Sequence, residues 1–187
     1  MASITRQYPN IVKWLKAARA AALKERGTFQ ICTEKNYTYI TDGVFALRIP
    51  AAQVPDWQTV INLASFQGQE MNAQLLETIS GMFAPSQFDE PLLDTSILTH
   101  VKCQTDEPLC RVFAFQKTPY VIRENHAASL RDIDAAATVQ GALTGSSRYL
   151  AKVVACDGLA ALALPIWLNE DMKRKRILTA TVKAALE

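Results

Sequence analysis

The sequence predicts an α+β fold in which helices alternate with sets of antiparallel strands. A clear helical pattern opens the chain, and short apolar strand patterns separated by turn residues follow it. The same order of helix and strands returns near the other end of the chain. Each of these two strand sets contains an Asp-Gly dipeptide between apolar stretches, in "YITDGVFALRIP" (residues 39–50) and in "VVACDGLAALALPI" (residues 153–166).

The first unit is predicted to be one helix followed by three strands. The helix covers residues 8–26, where Ala is frequent, with Asn10 as its N-terminal cap and Gly27 as its end. Its apolar residues at helical spacing should face the core: Ile11, Leu15, Ala18 and Ala22. The strands are predicted at residues 28–33, 37–41 and 44–50.

Both Asp-Gly pairs are predicted to be hairpin turns. A two-residue type I′ turn needs positive φ at both central residues, and Asp-Gly is a favoured pair for that turn. In the first hairpin this turn would pair Thr41 with Val44. The apolar residues of that hairpin would then share one face: Ile40, Phe45 and Leu47. The structural turn residues are therefore Asp42, Gly43, Asp157 and Gly158.

The remaining elements are predicted in the same way. A short strand at 58–63, a helix at 71–83 capped by Asn72 and a loop at 84–94 come first. Strands at 96–103, 109–116 and 119–124, a third helix at 126–141, and strands at 147–156 and 159–168 follow. The last segment, residues 169–187, fits a helix with a cap-like Asn169 and a strand equally well.

The recurrence of the Asp-Gly cassette suggests an internal repeat. Asp157 stands 115 residues after Asp42 (157 − 42 = 115), and this offset brings five identical residues of the two cassettes together. The alternative is two unrelated hairpins that share the commonest turn dipeptide. Residues 1–187 are predicted to form a single domain of about three helix-and-sheet units, with a sub-boundary near residue 125.

The two cassettes, together with the helix "NAQLLETISGM" (residues 72–82), resemble the sliding clamps of bacterial replication, the family of the DNA polymerase III beta subunit. The resemblance covers residues 37–50, 152–166 and, more loosely, 71–83. It implies half-repeats in which a helix lies on an antiparallel sheet, with the helices facing the DNA in the hole of a ring. The chain departs from the family after each Asp-Gly, where Val44 and Leu159 replace a basic residue. A divergent clamp-like protein of a phage or mobile element is implied.

Basic residues cluster at two places. Lys13, Lys16 and Lys24 fall on one side of the predicted first helix, with Arg19 beside them. The second cluster is Lys173, Arg174, Lys175 and Arg176. We expect both clusters to contact the backbone phosphates of double-stranded DNA, without base-specific contacts. The alternative for each is an ordinary solvated helix surface.

Other helices argue against DNA binding. The predicted helix at 71–83 contains no Lys or Arg, and the third helix carries Asp132 and Asp134 beside Arg131. The net charge of +2 also gives the chain no overall basic character.

No apolar stretch approaches the roughly 20 residues that span a bilayer, and the N-terminus lacks a signal-peptide pattern, so a cytoplasmic protein with no membrane partner is expected.

Catalytic and metal-binding motifs are absent from the sequence. It contains none of GxGxxG, GxxxxGK, GxSxG or HExxH. His100, Cys103 and Cys110 lack a fourth ligand and a zinc-finger spacing, and the odd spacing of His100 and Cys103 places them on opposite faces of one strand. No metal, cofactor or enzymatic activity is therefore expected.

The leading hypothesis is a non-enzymatic, clamp-like scaffold that binds DNA or replication proteins, alone or as a homo-oligomer. The second hypothesis is a protein-binding accessory module with the same fold and no DNA contact. The third is an enzyme of a type that the sequence does not identify.

Overall fold

A computed structural model describes residues 4–61, 69–84, 90–103, 106–115, 118–134, 139–144, 148–166, 168 and 172–185. Its helices are α1 (Ile4–Gln7), α2 (Pro9–Leu23), α3 (Val54–Ile61), α4 (Ala73–Met82), α5 (Glu124–Ile133) and α6 (Met172–Ala185). Its strands are β1 (Gln30–Glu34), β2 (Tyr37–Thr41), β3 (Phe45–Pro50), β4 (Gln69–Glu70), β5 (Glu90–His100), β6 (Leu109–Phe115), β7 (Thr118–Arg123), β8 (Val139–Thr144), β9 (Arg148–Val154) and β10 (Ala160–Ala163). The fold is α+β, as the sequence predicts.

The strands form one ten-stranded sheet in the order β4-β1-β2-β3-β10-β9-β8-β5-β6-β7. Neighbouring strands are antiparallel apart from the short parallel pair of β1 and β4. Strand β5 pairs with β8 through its first residues and with β6 through the rest, and a bulge between Asp94 and Ile97 bends it. Beyond β10, the backbone N–H of Ile166 donates to the carbonyl of Val121 on β7 at 2.8 Å. The sheet therefore curls back towards its own middle.

Helices cover both faces of this sheet. Because side chains alternate along a strand, Ile40 and Leu47, which are paired across β2 and β3, share one face with Phe45, as predicted. Helices α2 and α5 pack on this face, which we call the front face. Tyr39 and Ala46 point the other way and pack against α4, while α6 covers the same back face over β6 and β7.

Helix α2 buries the residues that its periodicity predicts. Ile11, Leu15 and Ala18 are buried, and Ala22 packs against the same core. The predicted ends were wrong. The helix begins at Pro9, with Tyr8 rather than Asn10 in the cap position, because proline suits the first helical turn. It ends at Leu23, before Gly27.

Three further assignments are corrected by the structure. Residues 58–61 of the predicted strand at 58–63 belong to helix α3, whose Trp57 is buried and stacks on Tyr8 at a ring distance of 5.3 Å. The third helix stops at Ile133, and the predicted helical residues from Val139 belong to β8, because pairing with β9 and β5 overrides the local helix prediction. The predicted loop at 84–94 contains the start of β5, which ends at His100 and not at 103.

The structure also answers two questions about helices, namely the conformation of the last segment and the cap of α4. The last segment is helical over Met172–Ala185, whereas Asn169 lies outside the described part of the chain. Helix α4 is capped as predicted, since the side chain of Asn72 accepts from the backbone N–H of Leu75 at 2.8 Å.

The type I′ assignment of the two Asp-Gly turns was wrong. Only the glycine of each pair has positive φ, 89° at both Gly43 and Gly158. In the first turn Asp42 N–H donates to the Phe45 carbonyl at 3.2 Å, and Thr41 pairs with Ala46 instead of Val44. The aspartate side chain explains the difference, because Asp42 Oδ1 accepts the N–H groups of Val44 and Phe45 and builds the turn locally.

The second turn is longer than the first. Ala155 N–H donates to the Leu159 carbonyl at 2.8 Å and Gly158 N–H to the Ala155 carbonyl at 3.0 Å, which leaves three residues in the loop. Gly158 occupies the left-handed position that such loops require. Asp157 Oδ1 again accepts the N–H two residues on, from Leu159 at 3.0 Å.

Replacing either turn glycine by alanine should destabilise the protein by roughly 1 kcal/mol or more, because a Cβ disfavours positive φ. The measurement is urea unfolding of Gly43→Ala and Gly158→Ala. Gly81→Ala is the matched control: it lies within α4, nothing stands within 4 Å of the added Cβ, and the change should stabilise by up to about 1 kcal/mol. Turn variants as stable as the wild type would contradict the positive-φ argument.

Candidate nucleic-acid interface

The outer side of α2 is basic. Lys13, Lys16 and Lys24 are exposed, and Arg19 beside them is half-buried. Within the described ranges, none of these three lysines takes part in an ion pair. Two further exposed arginines flank the helix, Arg6 in α1 and Arg26 beyond its end, and the sequence prediction did not include them. Their nearness in sequence to both helix ends was the signal that could have identified them.

Helix α2 is held at its N-terminus by a carboxylate from α5. Asp132 Oδ2 accepts the backbone N–H groups of Asn10 at 2.6 Å and Ile11 at 2.9 Å, and Oδ1 accepts from the Asn10 side chain at 2.8 Å. A negative group at this position satisfies the free N–H groups and the positive end of the helix dipole. The N-terminal N–H groups of Asn10 and Ile11 are therefore already occupied and are not free to bind a phosphate.

A second contact fixes α2 to the first hairpin. Trp14 Nε1–H donates to Asp42 Oδ2 at 2.7 Å, while Oδ1 of the same carboxylate accepts from Val44 at 2.9 Å and Phe45 at 2.7 Å. Trp14 also packs on Phe45, with ring centroids 4.5 Å apart. The basic side of the helix is thus presented from a firmly anchored backbone.

Helix α5 shares the front face but adds no basic surface there. Arg131 is half-buried and pairs with Glu124 at 2.8 Å and with Asp94 at 3.8 Å. Burial acts to raise the pKa of Glu124, but hydrogen bonds from Arg111 and Arg131 hold it below its usual value. Asp134, just after α5, is exposed. The front surface is therefore basic on α2 and neutral to acidic on α5.

The second basic cluster lies elsewhere. It falls at the start of α6, on the back face, so the structure does not bring it together with the lysines of α2. Arg176 is exposed, and the side chains of Lys173, Arg174 and Lys175 lie outside the described residues. Helix α4 also covers the back face, and its lack of Lys and Arg does not bear on the front surface.

His100, Cys103 and Cys110, which the sequence analysis considered as metal ligands, do not come together in the structure. Thr99 pairs with Cys110, so His100 and Cys110 project from opposite faces, and Cys103 follows the end of β5 instead of sharing the strand. Burial, followed by the charge of Asp106, raises the pKa of the Cys103 thiol, which disfavours its nucleophilic form. In the described part of the chain no three His, Cys, Asp or Glu side chains group to hold a metal ion.

No helix among the described residues has the length and apolar character needed to cross a bilayer. No protein-family model, curated protein or solved structure matches this chain.

Proposed function

We propose that the protein is a non-enzymatic, clamp-like scaffold that binds the backbone of double-stranded DNA through α2. The observation that carries the proposal is the exposed row formed by Lys13 and Lys16 on α2 and Lys24 directly after it, on a helix whose other side is buried. Phosphate contacts need flexible, solvated cations on a fixed backbone, and no base readout is required.

The buried sides of α2 and α5 support the clamp-like repeat. When the offset of 115 that aligns the Asp-Gly pairs is applied to α2, its buried residues correspond to buried residues of α5. Ile11, Val12, Trp14 and Leu15 correspond to His126, Ala127, Ser129 and Leu130. Ala18 corresponds to Ile133, which packs against the same core. One offset thus relates both the turns and the helices.

The pairing at the centre of the sheet also supports a two-fold relation. Adding the same offset of 115 to residues 45–48 of β3 gives residues 160–163 of β10. These two corresponding stretches pair with each other as antiparallel strands. In this pairing Phe45 lies opposite Ala163, which is the counterpart of Arg48. Arg48 in turn lies opposite Ala160, which is the counterpart of Phe45. Such reciprocal pairing is characteristic of two units related by a two-fold axis. The first turn also contacts the helix of the second unit, since Phe45 packs on His126 at the start of α5.

The arrangement departs from the clamp pattern in two respects. Strands β1 and β8 do not correspond under the offset, and α4 and α6 cover the back face, which the resemblance would leave as the outer surface of a ring. The helices follow the offset more closely: α2 corresponds to α5, and residues 57–61 of α3 correspond to residues 172–176 of α6.

DNA binding should be electrostatic and independent of sequence. With three lysine contacts, the affinity for a labelled duplex should fall roughly 40-fold between 50 and 200 mM salt. Replacing Lys13, Lys16 and Lys24 by Glu should abolish binding to every duplex alike. Fluorescence anisotropy over a salt series measures both effects.

The matched control changes the same net charge at other exposed lysines: Lys35, Lys102 and Lys183, each replaced by Glu. This variant should retain most of the affinity if α2 is the contact surface. If both variants lost the same affinity for DNA, the net charge and not the surface of α2 would be responsible. If the wild-type protein did not bind DNA even at low salt, the proposed DNA binding would be wrong.

A protein-binding module is the second candidate. Leu98 on β5 and Leu109 on β6 share one face of the sheet and are 47% and 40% exposed, which is unusual for neighbouring leucines. Gel filtration with and without DNA separates the candidates, since only the scaffold should elute earlier when DNA is added.

A further inference from the structure

His126 occupies a position in the core that suits a hydrocarbon side chain. It lies in the first turn of α5 and is 5% exposed. Its ring packs on Phe45 with centroids 5.3 Å apart, and within the described residues Nδ1 has no hydrogen-bond partner. The corresponding position of α2 holds Ile11, which is fully buried.

Two charged groups of the described part of the chain act on this ring. Asp42, on the turn between β2 and β3, favours the protonated ring, whereas Arg123, at the end of β7, opposes it. From α2, the residue packed on Phe45 is Trp14, which carries no charge. Burial is the largest effect and lowers the pKa of His126 to about 4.

The carboxylate of Asp42 already serves both the first turn and α2. Its Oδ1 holds the turn through Val44 and Phe45, and its Oδ2 holds α2 through Trp14. A protonated His126 would carry a charge against the Phe45 ring with no hydrogen-bond partner at Nδ1 among the described residues, and a buried, unpaired charge is costly. Relieving that cost requires the ring to move away from Phe45, which weakens the contact between the first turn and α5.

We propose that His126 is an acid-sensitive latch, whose protonation releases α5 from the first Asp-Gly turn and loosens the front face. This device is independent of whether the front face binds DNA.

The direction of the pH dependence follows from the two protonation states. The unfolded chain takes up a proton on this histidine below about pH 6.5, and the native protein does so only near pH 4. The contribution of His126 to stability is therefore complete above pH 6.5 and is lost as the pH falls towards 4. Between pH 7 and pH 5 the folding equilibrium constant of the wild type should fall roughly 20-fold more than that of a variant without this histidine.

The experiment compares urea unfolding of the wild type, His126→Ile and His126→Gln at pH 7 and pH 5. Ile restores the side chain found at the corresponding position of α2, and Gln serves if the Ile variant does not fold. His100→Gln removes the other histidine of the chain, which is exposed, and should keep the wild-type pH dependence. Equal pH dependence in the wild type and the His126 variants would overturn the proposal.

Hydrogen exchange locates the effect. On going from pH 7 to pH 5, after correction for the intrinsic rates, residues 124–133 of wild-type α5 should lose protection relative to those of α6. Parallel loss of protection in the two helices would contradict a latch at α5.

Discussion

Replacing Asp42 by Ala should lower the free energy of unfolding by about 3 kcal/mol, as measured by urea unfolding. The carboxylate accepts three hydrogen bonds, from the backbone of Val44 and Phe45 and from the indole of Trp14. Hydrogen bonds to charged groups contribute about 1.5–3 kcal/mol each, and the loss is moderated where water can replace the carboxylate. The buried indole N–H has no such replacement, since Trp14 is 4% exposed.

Asp157→Ala is the matched control for this prediction. Asp157 accepts from the backbone of Leu159 and from the side chain of Gln53 near the surface, so its removal should cost only about 1 kcal/mol. Equal costs for the two aspartates would show that the bond from Trp14 contributes little. Asp42→Asn tests that bond directly, because the amide keeps Oδ1 for the turn but offers Trp14 a donor instead of an acceptor.

Replacing Phe45 by Ala should lower the free energy of unfolding by about 3–5 kcal/mol, the largest effect that we expect from a single change. Phe45 is fully buried between Trp14 on α2 and His126 on α5, and it therefore joins both front helices to the sheet. Its removal leaves a cavity that three separate elements would have to close together.

The neighbouring residue provides the control for Phe45. Val44 is 41% exposed in the turn, and Val44→Ala should change the stability by no more than about 0.5 kcal/mol. Comparable losses at positions 44 and 45 would contradict the assignment of the front face. Urea unfolding of both variants under the same conditions is the measurement.

Periodicity was enough to predict which residues of α2 and of the first hairpin are buried. Ile11 and Leu15 recur at helical spacing. The observed pairing of the hairpin differs from the predicted one by two residues, and a shift of two leaves every side chain on the same face of the sheet. Ile40, Phe45 and Leu47 are therefore buried together although the predicted turn type was wrong. The residues from Val139 onwards follow a run of alanine and show no strand signal of their own. Their strand conformation is set by β5 and β9, which are distant or later in sequence.

The anchors of the candidate interface could not be predicted locally. Asp132 caps α2 from 122 residues away, and neither sequence segment indicates the other. In the sequence Asp132 counts only as an acidic residue opposed to DNA binding, whereas in the structure it fixes the orientation of the basic helix. The burial of His126 could not be predicted either, because histidine is intermediate between the buried and the exposed residue types.

The adjacency of β3 and β10 has a consequence for how the protein is made. Strand β3 ends at Pro50 and its partner begins at Ala160, so the ribosome must add 110 further residues (160 − 50 = 110) before the middle of the sheet can close. At ordinary elongation rates this takes about 6 to 20 seconds. During that interval the nascent chain carries an unpaired strand edge beside a bare apolar surface, and such edges pair readily with other chains. The emerging polypeptide is therefore most exposed to aggregation, and has most need of a chaperone, during this interval.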